Sequence, residues 1–403
     1  MFKPFTASGF PARVSPIPYL SLAFLSQTGM SFVQQGLVVL GTFFAIQYHL
    51  NLTQLGLVTS ALSFGVMVSM VFIGLTVDRL GPRVVLFWGA FLMSGLCFLL
   101  TQVNLFGTLL IVLFFAGAAL AIVPAAGTKA VFTAFAGRPR GLVMGIRQTG
   151  VPIGAALSAW LLPQMASHTG LRPVYYIFVC ELLLTSWAFV AVMQPWSRVS
   201  AAAERVKLRR TDWLKLLRPL SVAVLMVSGQ YILLTYTISD LHQGHHLTLV
   251  TAGEVLALSQ IGGGLGRIGL GQLSDYLGGR RPPAIALAAA LGTTFAFIVG
   301  VLPERVPVVV LFIIWFILGF AAAGWNALVL TWAGESVPPS HSGLAMSLAG
   351  STVFLGATIF PPIFGFVVDT SHRLAFGWWF LSAVLAIAAG VAWRSARSLS
   401  KSP

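Results

Sequence analysis

The sequence predicts an all-α membrane protein: twelve transmembrane helices in two six-helix bundles related by a pseudo-two-fold axis along the membrane normal. Three observations carry this. Of 403 residues, 57% are hydrophobic and only 8% charged, where a soluble chain holds roughly a quarter charged, so lipid must solvate most of the surface. Apolar runs of about twenty residues, the length that crosses a bilayer, recur with short polar loops between them. A signature loop also appears twice, at a fixed offset, once in each half.

Taken in order, the runs fall at about 18–46, 53–77, 84–102, 107–134, 141–163 and 174–194, then at 216–239, 248–274, 284–302, 307–333, 342–367 and 375–393. Several exceed the minimum span, so tilt or protrusion is expected. The first run follows MFKPFTASGFPARVSPIPYL, which has basic residues and four prolines but no small-residue cleavage site. It reads as a retained helix rather than a removed signal. The one long polar stretch, SRVSAAAERVKLRRTDWLKLLR at 197–218, separates an N-terminal bundle (1–196) from a C-terminal bundle (219–403).

The net charge of +14 is a matter of topology. With both termini on one side, eighteen of the 24 Lys and Arg residues fall in segments on that side. The opposite loops carry Arg172, Arg305 and Arg373, and Lys129, Arg147 and Arg267 fall within helices. Basic residues collect on the cytoplasmic side. Both termini and the linker are therefore expected in the cytoplasm, and the chain in an inner or plasma membrane. No nucleic-acid partner is needed to explain the charge. Cys97 and Cys180 both sit in apolar runs and read as small buried residues, not a disulfide.

GLTVDRLGPR (74–83) aligns with GQLSDYLGGR (271–280) at an offset of 197. GLVM (141–144) aligns with GLAM (343–346) at 202, where Val151 also meets Val353 and Gly154 meets Gly356. Two aligned halves whose ends lie on one side imply a parallel repeat, with a site near the midplane between them.

Gly74, Asp78, Arg79, Gly81 and Arg83, between helices two and three, resemble the loop signature of the major facilitator superfamily. Gly271, Asp275, Gly278 and Arg280 resemble its weaker second copy. With twelve spans and a basic linker, the resemblance covers nearly the whole chain. It implies a transporter that rocks two bundles around a central cavity. The fourth helix departs from the family: it lacks the arginine often associated with proton coupling and offers only Lys129, nearer the inner end. The glycine–proline pattern of exporter helix five is partly present, as Gly150-Val151-Pro152-Ile153-Gly154. Direction and coupling stay open on these residues.

GLGRIG at 264–269 has the letters of a dinucleotide loop. Such a loop needs a strand before it and an acid about twenty residues later. Here the glycines lie inside a span and the next acid is Asp275, so close helix packing is the better account of Gly262, Gly263, Gly264, Gly266, Gly269 and Gly271. Arg267 is different. It stands eight residues before Asp275, about 12 Å into the span. Arg147 and Lys129 fall at similar depths, about 10 and 13 Å in by the same measure. Charge in hydrocarbon is costly and faces water or a partner. The spacing GRxxxGxxxD around Arg267 resembles the eighth-helix arginine that binds the substrate carboxylate in monocarboxylate and oxalate/formate transporters. A guanidinium fork suits a carboxylate. The alternative is that these cations snorkel or bond helix ends near the inner loops.

Other residues complete the candidate site. Gln34 and Gln35, Gln230, Tyr231 and Tyr236, and Trp325 and Asn326 are mid-span polar or aromatic groups that need partners in lipid. Gln34, Gln230, Tyr231 and Asn326 are the expected substrate contacts among them. Glu254 and Glu181 are the intramembrane acids and hence the proton-coupling candidates. Glu254 lies near the outer end, and Glu181 on a helix that is peripheral in this superfamily. In the signature loops, Gly81 and Gly278 permit tight reversal, Asp78 can cap an adjacent helix and Arg83 can meet helix-end carbonyls. These loops are expected to latch the inner gate. The loop His242-Gln-Gly-His245-His246 reads as a solvated loop rather than a zinc site, and Asn51-Leu52-Thr53 matches a glycosylation sequon. The expectation is a monomeric secondary transporter of a small organic anion, driven by proton symport or anion exchange, with drug or metabolite efflux as the alternative. No metal, cofactor or enzymatic constellation is expected.

Overall fold

The computed structural model describes residues 16–135, 140–193, 210–338 and 341–399. Residues 1–15 and the linker stretch 197–209 lie outside the described residues. Among the described residues no strand occurs. The helices are α1 (Pro16–Val39), α2 (Gly41–Tyr48), α3 (Leu52–Leu80), α4 (Pro82–Leu99), α5 (Phe106–Leu120), α6 (Ile122–Ala134), α7 (Arg140–Gln148), α8 (Gly150–Thr169) and α9 (Leu171–Val192) in the first half. The second half holds α10 (Arg210–Gly244), α11 (Leu249–Tyr276), α12 (Arg281–Val301), α13 (Val308–Gly324), α14 (Asn326–Glu335), α15 (Ser342–Ser371) and α16 (Leu374–Leu399). They form twelve spans, because four spans are broken once: one (α1–α2), four (α5–α6), five (α7–α8) and ten (α13–α14). Ten spans are long and apolar enough to cross a membrane. The other two, 140–169 and 249–276, are more polar and hold Arg147, Glu254 and Arg267. Span seven begins at Arg210, so the last part of the stretch read as a linker, 210–218, is already helix.

Two of the breaks follow from proline. A helical proline removes one N–H and its ring collides with the carbonyl four residues back. Pro124 acts on Leu120, where α5 ends, and Pro152 acts on Gln148, where α7 ends. Other prolines stay inside helices and free carbonyls for partners. Pro163 frees Ala159, and Pro362 frees Thr358, whose carbonyl accepts from Ser60 Oγ at 2.5 Å. Re-satisfaction by a neighbouring helix is what makes such a proline tolerable in lipid.

The two-fold relation is visible in the packing. Span two packs on span four and span eight on span ten; span three packs on span six and span nine on span twelve. At the two–four seam, Gly65 lies against the Phe114 carbonyl and Gly117 against the Leu62 carbonyl. At the eight–ten seam, Gly262 lies against Phe316 O and Gly319 against Ser259 O. These four pairs map onto one another at the offsets of 197 and 202. Any Cβ there would overlap backbone, so glycine sets the helix separation. Gly154 against Thr28 O and Gly356 against Val224 O repeat the relation at spans one–five and seven–eleven. The halves meet through spans two and eleven and spans five and eight.

Candidate functional site

The chain ends define one face of the molecule, here the terminal face; the loops at 49–51, 170, 245–248 and 372–373 define the opposite face. All hydrogen bonds between the halves, among the described residues, lie toward the opposite face. Asp369, at the end of α15, accepts from Leu52 N at 3.1 Å, Thr53 N at 2.7 Å and Thr53 Oγ1 at 2.5 Å. It thereby caps α3 from the other half, beside the helix's own capping box of Asn51 and Gln54. Tyr236 Oη donates to Leu52 O at 2.9 Å and Pro361 O at 2.6 Å. Thr42–Ser239 (2.9 Å) and Thr59–Thr235 (2.8 Å) join hydroxyls across the interface. Toward the terminal face, α6, α7 and α14 pack within their own halves. The halves are thus hydrogen-bonded to each other toward the opposite face and are less joined toward the terminal face.

Spans five and eight run antiparallel in a fixed register. Gly253 packs on Ala159 O and Pro163, and Gly264 faces Pro152. That register sets Arg267 level with Thr149, two residues from Arg147. The two arginines therefore stand at similar heights, beyond the Gly264–Pro152 contact. Each is tethered to a broken span. Arg147 Nη2 donates to Val123 O at 3.2 Å and its Nη1 to Thr128 Oγ1 at 3.0 Å, both on α6. Arg267 Nε donates to Ala323 O at 3.3 Å, next to the α13–α14 break. Ala323 lies in the last turn of α13, where carbonyls lack their usual donors, and the Arg267 guanidinium supplies one. Arg147 is 1% exposed, while Arg267 is half-buried. Neither has a carboxylate partner among the described residues.

Lys129 differs from the two arginines in having a carboxylate partner. Its ammonium is ion-paired with Asp78 at the end of α3. It points from span four to the first signature loop, and the acid that neutralises it is distant in sequence. The second signature loop is built differently from the first. Gly278 and Gly279 turn the chain with φ of 75° and 76°, which strongly favours glycine. Arg281, not Arg280, bonds Asp275 Oδ1 at 2.7 Å and Glu335 Oε1 at 3.3 Å. Both ion-pair sets lie within a half and do not bridge the halves in this structure. Gly81, at φ 84°, ends α3 and starts α4. Gly74 and Gly271 border open space.

The remaining candidates scatter. Gln34 and Asn326 are half-buried, the latter as the first residue of α14 after the break. Gln230 and Tyr231 are buried on α10, with Gln230 Oε1 unpartnered. Glu254 is half-buried beside Gly253, in the part of the interface that is shut. Glu181 leaves the central space altogether: its carboxyl presses on Gly29 of α1, inside the N-terminal half. His242 and His245 meet the backbone carbonyls of Leu247 and Glu304. No His/Cys/Asp/Glu cluster among the described residues could hold a metal. Both cysteines are free. Of the glycine run, Gly262, Gly263 and Gly266 pack on α13 and Gly264 faces α8.

Sequence reading did not single out Asp369, Glu335 or the hydroxyl pairs. Asp369 gave one signal, an acid at the end of a span opposite the start of another.

Two six-helix bundles built on the same helix seams and hydrogen-bonded to each other toward one face have the architecture of a membrane transporter. A family model described as Major Facilitator Superfamily matches residues 20–315, and the chain belongs to that superfamily. Two uncharacterized MFS-type transporters of Mycobacterium tuberculosis, from strains ATCC 25618 / H37Rv and CDC 1551 / Oshkosh, are each 30% identical to it over 79% of this chain and 72% of theirs. Among solved structures, a mutant of the nucleoside transporter NupG superposes with a TM-score of 0.77 at 15% identity, covering 95% of this chain and 100% of that one. A bacterial homolog of the human lysosomal transporter Spinster, inward-facing and unoccupied, gives 0.76 at 16% identity, covering 96% and 99%. At such identities these structures speak for the fold.

Proposed function

We propose that this transporter carries a small organic anion, a carboxylate, gripped by Arg267 at the apex of the space between the halves. The observation that carries this reading is the pairing of Arg267 and Arg147 at similar heights on facing spans without a carboxylate partner. Arg267 is tethered through Nε alone, so its two terminal amines remain for a forked contact with a carboxylate. Arg147 adds positive potential from behind α6. Lys129, through its pair with Asp78, tunes the inner mouth. Gln34, Gln230, Tyr231 and Asn326 orient the neutral part of the substrate.

The basic bias supports cytoplasmic termini in an inner or plasma membrane, and on that orientation the structure is the inward-facing state. The unit of function is a monomer with halves at 1–196 and 219–403 joined through 197–218, of which 210–218 already opens span seven. Drive comes from proton symport, with Glu181 or Glu254 as carrier, or from anion exchange. Efflux of cationic drugs fits less well. A cationic drug wants an acid in the cavity, and Glu254 lies in the shut part while Glu181 faces Gly29.

Uptake into proteoliposomes tests the reading. Carboxylate uptake driven by an inward proton gradient supports symport, and uptake only into anion-loaded vesicles supports exchange. Arg267→Ala should abolish both. Carboxylate uptake that persists in Arg267→Ala and in Arg147→Ala defeats the assignment of the site.

A further inference from the structure

A second cavity, of about 650 Å³, lies wholly within the C-terminal half on the terminal face. It is framed by the first turns of α10, the α11–α12 turn and the ends of α14 and α16. The transport reading does not use it, because every lining residue belongs to one half and the space between the halves lies elsewhere.

Its charge is one-sided. Lys215, Arg218, Arg280 and Arg281 line it, against the single lining carboxylate of Glu335. Arg281 is held by Asp275 and Glu335, so those acids are engaged with it. Asp212, buried one turn before Lys215, is the other acid close by on α10. The two left-handed glycines, Gly278 and Gly279, turn the chain so that Arg280 stands as the N-cap of α12 at the cavity wall. Among the described residues no hydrogen bond or ion pair engages the side chain of Lys215 or Arg280, although the Arg280 carbonyl accepts from Ser274 Oγ at 3.1 Å.

The other wall is apolar. Leu214 and Trp332 line the cavity. Beside it, Trp213, Leu214 and Leu217 form an exposed stripe on α10, at 45%, 59% and 55%. A stripe of this kind at the start of a span lies at the hydrocarbon boundary, where an indole is at home.

We propose that this cavity seats the headgroup of an anionic phospholipid. Lys215, Arg218 and Arg280 hold the phosphate, Trp332 and Leu214 meet the glycerol region, and the acyl chains follow the Trp213–Leu217 stripe. Basic clusters beside spans attract anionic lipid. A free phosphate or a soluble anion has no use for the apolar wall and the exposed stripe, which is why a lipid is the occupant.

Native mass spectrometry of the full chain in detergent tests this, with dioleoyl phosphatidylglycerol and phosphatidylcholine of the same chains as probes. Each neutralised charge is worth about 1 kcal/mol at an anionic surface. Lys215→Gln and Arg280→Gln should therefore each weaken phosphatidylglycerol binding about five-fold, leaving phosphatidylcholine binding unchanged. The triple variant with Arg218→Gln should lose the preference between the two lipids. Arg305→Gln, on the opposite face, should keep it, and so should the charge-retaining set Lys215→Arg, Arg218→Lys and Arg280→Lys. Should the triple variant not fold, the two single variants decide the matter. An unchanged preference in Lys215→Gln and Arg280→Gln overturns the proposal. Displacement of phosphatidylglycerol by equimolar inorganic phosphate also overturns it, in favour of a free-anion site.

Discussion

Replacing Asp369 by alanine should open the face that this structure holds shut. The carboxylate accepts three hydrogen bonds from the first turn of α3, which belongs to the other half. Alanine leaves the Leu52 and Thr53 N–H groups without it, although Asn51 still caps Gln54 N. A lost cap typically costs about 1 kcal/mol, and a lost anion at a helix N-terminus adds up to about 1 kcal/mol. Asp369 is half-buried, so about 2 kcal/mol is an upper figure, or roughly a 30-fold shift in the equilibrium between the two states. The cost falls only on the state in which α3 and α15 touch, so it changes populations rather than overall folding. Spin labels at 172 and 305, exposed on the opposite face in different halves, report the separation by electron–electron double resonance after Cys180→Ser. The longer distance should grow in Asp369→Ala and recover in part in Asp369→Glu. An unchanged distance distribution in Asp369→Ala would refute the claim that this contact pins the face.

Further outcomes follow from the same geometry. Gly319→Val should lower the thermal midpoint by several degrees, since overpacking costs about 1–3 kcal/mol and position 319 abuts a backbone carbonyl. Gly390→Ala, with open space beside it, should not; scanning fluorimetry compares the two. Asp78→Asn should slow transport without abolishing substrate binding. A double-mutant cycle of Asp78→Asn with Lys129→Met should show a coupling in stability below about 1 kcal/mol, because the pair is partly exposed; transport and binding measured side by side check this. Glu181→Gln should leave anion exchange intact yet remove the response of uptake to a proton gradient if Glu181 is the carrier. An unaltered response transfers that role to Glu254.

The repeat made much of the fold legible. Offsets of 197 and 202, found between loop letters, turn out to relate Gly65 to Gly262 and Gly117 to Gly319, the residues that set helix separation. Spans were legible because lipid demands long apolar runs, and two breaks because Pro124 and Pro152 cannot continue a helix. The breaks at Leu40 and Trp325 have no proline and left no such signal. The site was less legible. Depth along a helix put Arg147, Arg267 and Lys129 at one level, but depth says nothing about which way a side chain turns. Lys129 turns to Asp78 and Arg147 to α6. In the second signature loop it is Arg281, one residue past the signature Arg280, that bonds Asp275. Asp369 acts across the halves, where sequence distance is no guide.

The central claim is that Arg267 recognises a carboxylate. Thermal stabilisation of the purified protein by carboxylates, amines and neutral solutes tests it most directly, because a ligand at 100 times its Kd stabilises by about 2.7 kcal/mol. Carboxylates alone should stabilise the protein, and Arg267→Ala should lose the effect. Stabilisation by amines with none by carboxylates, or a carboxylate effect that survives Arg267→Ala, would contradict it.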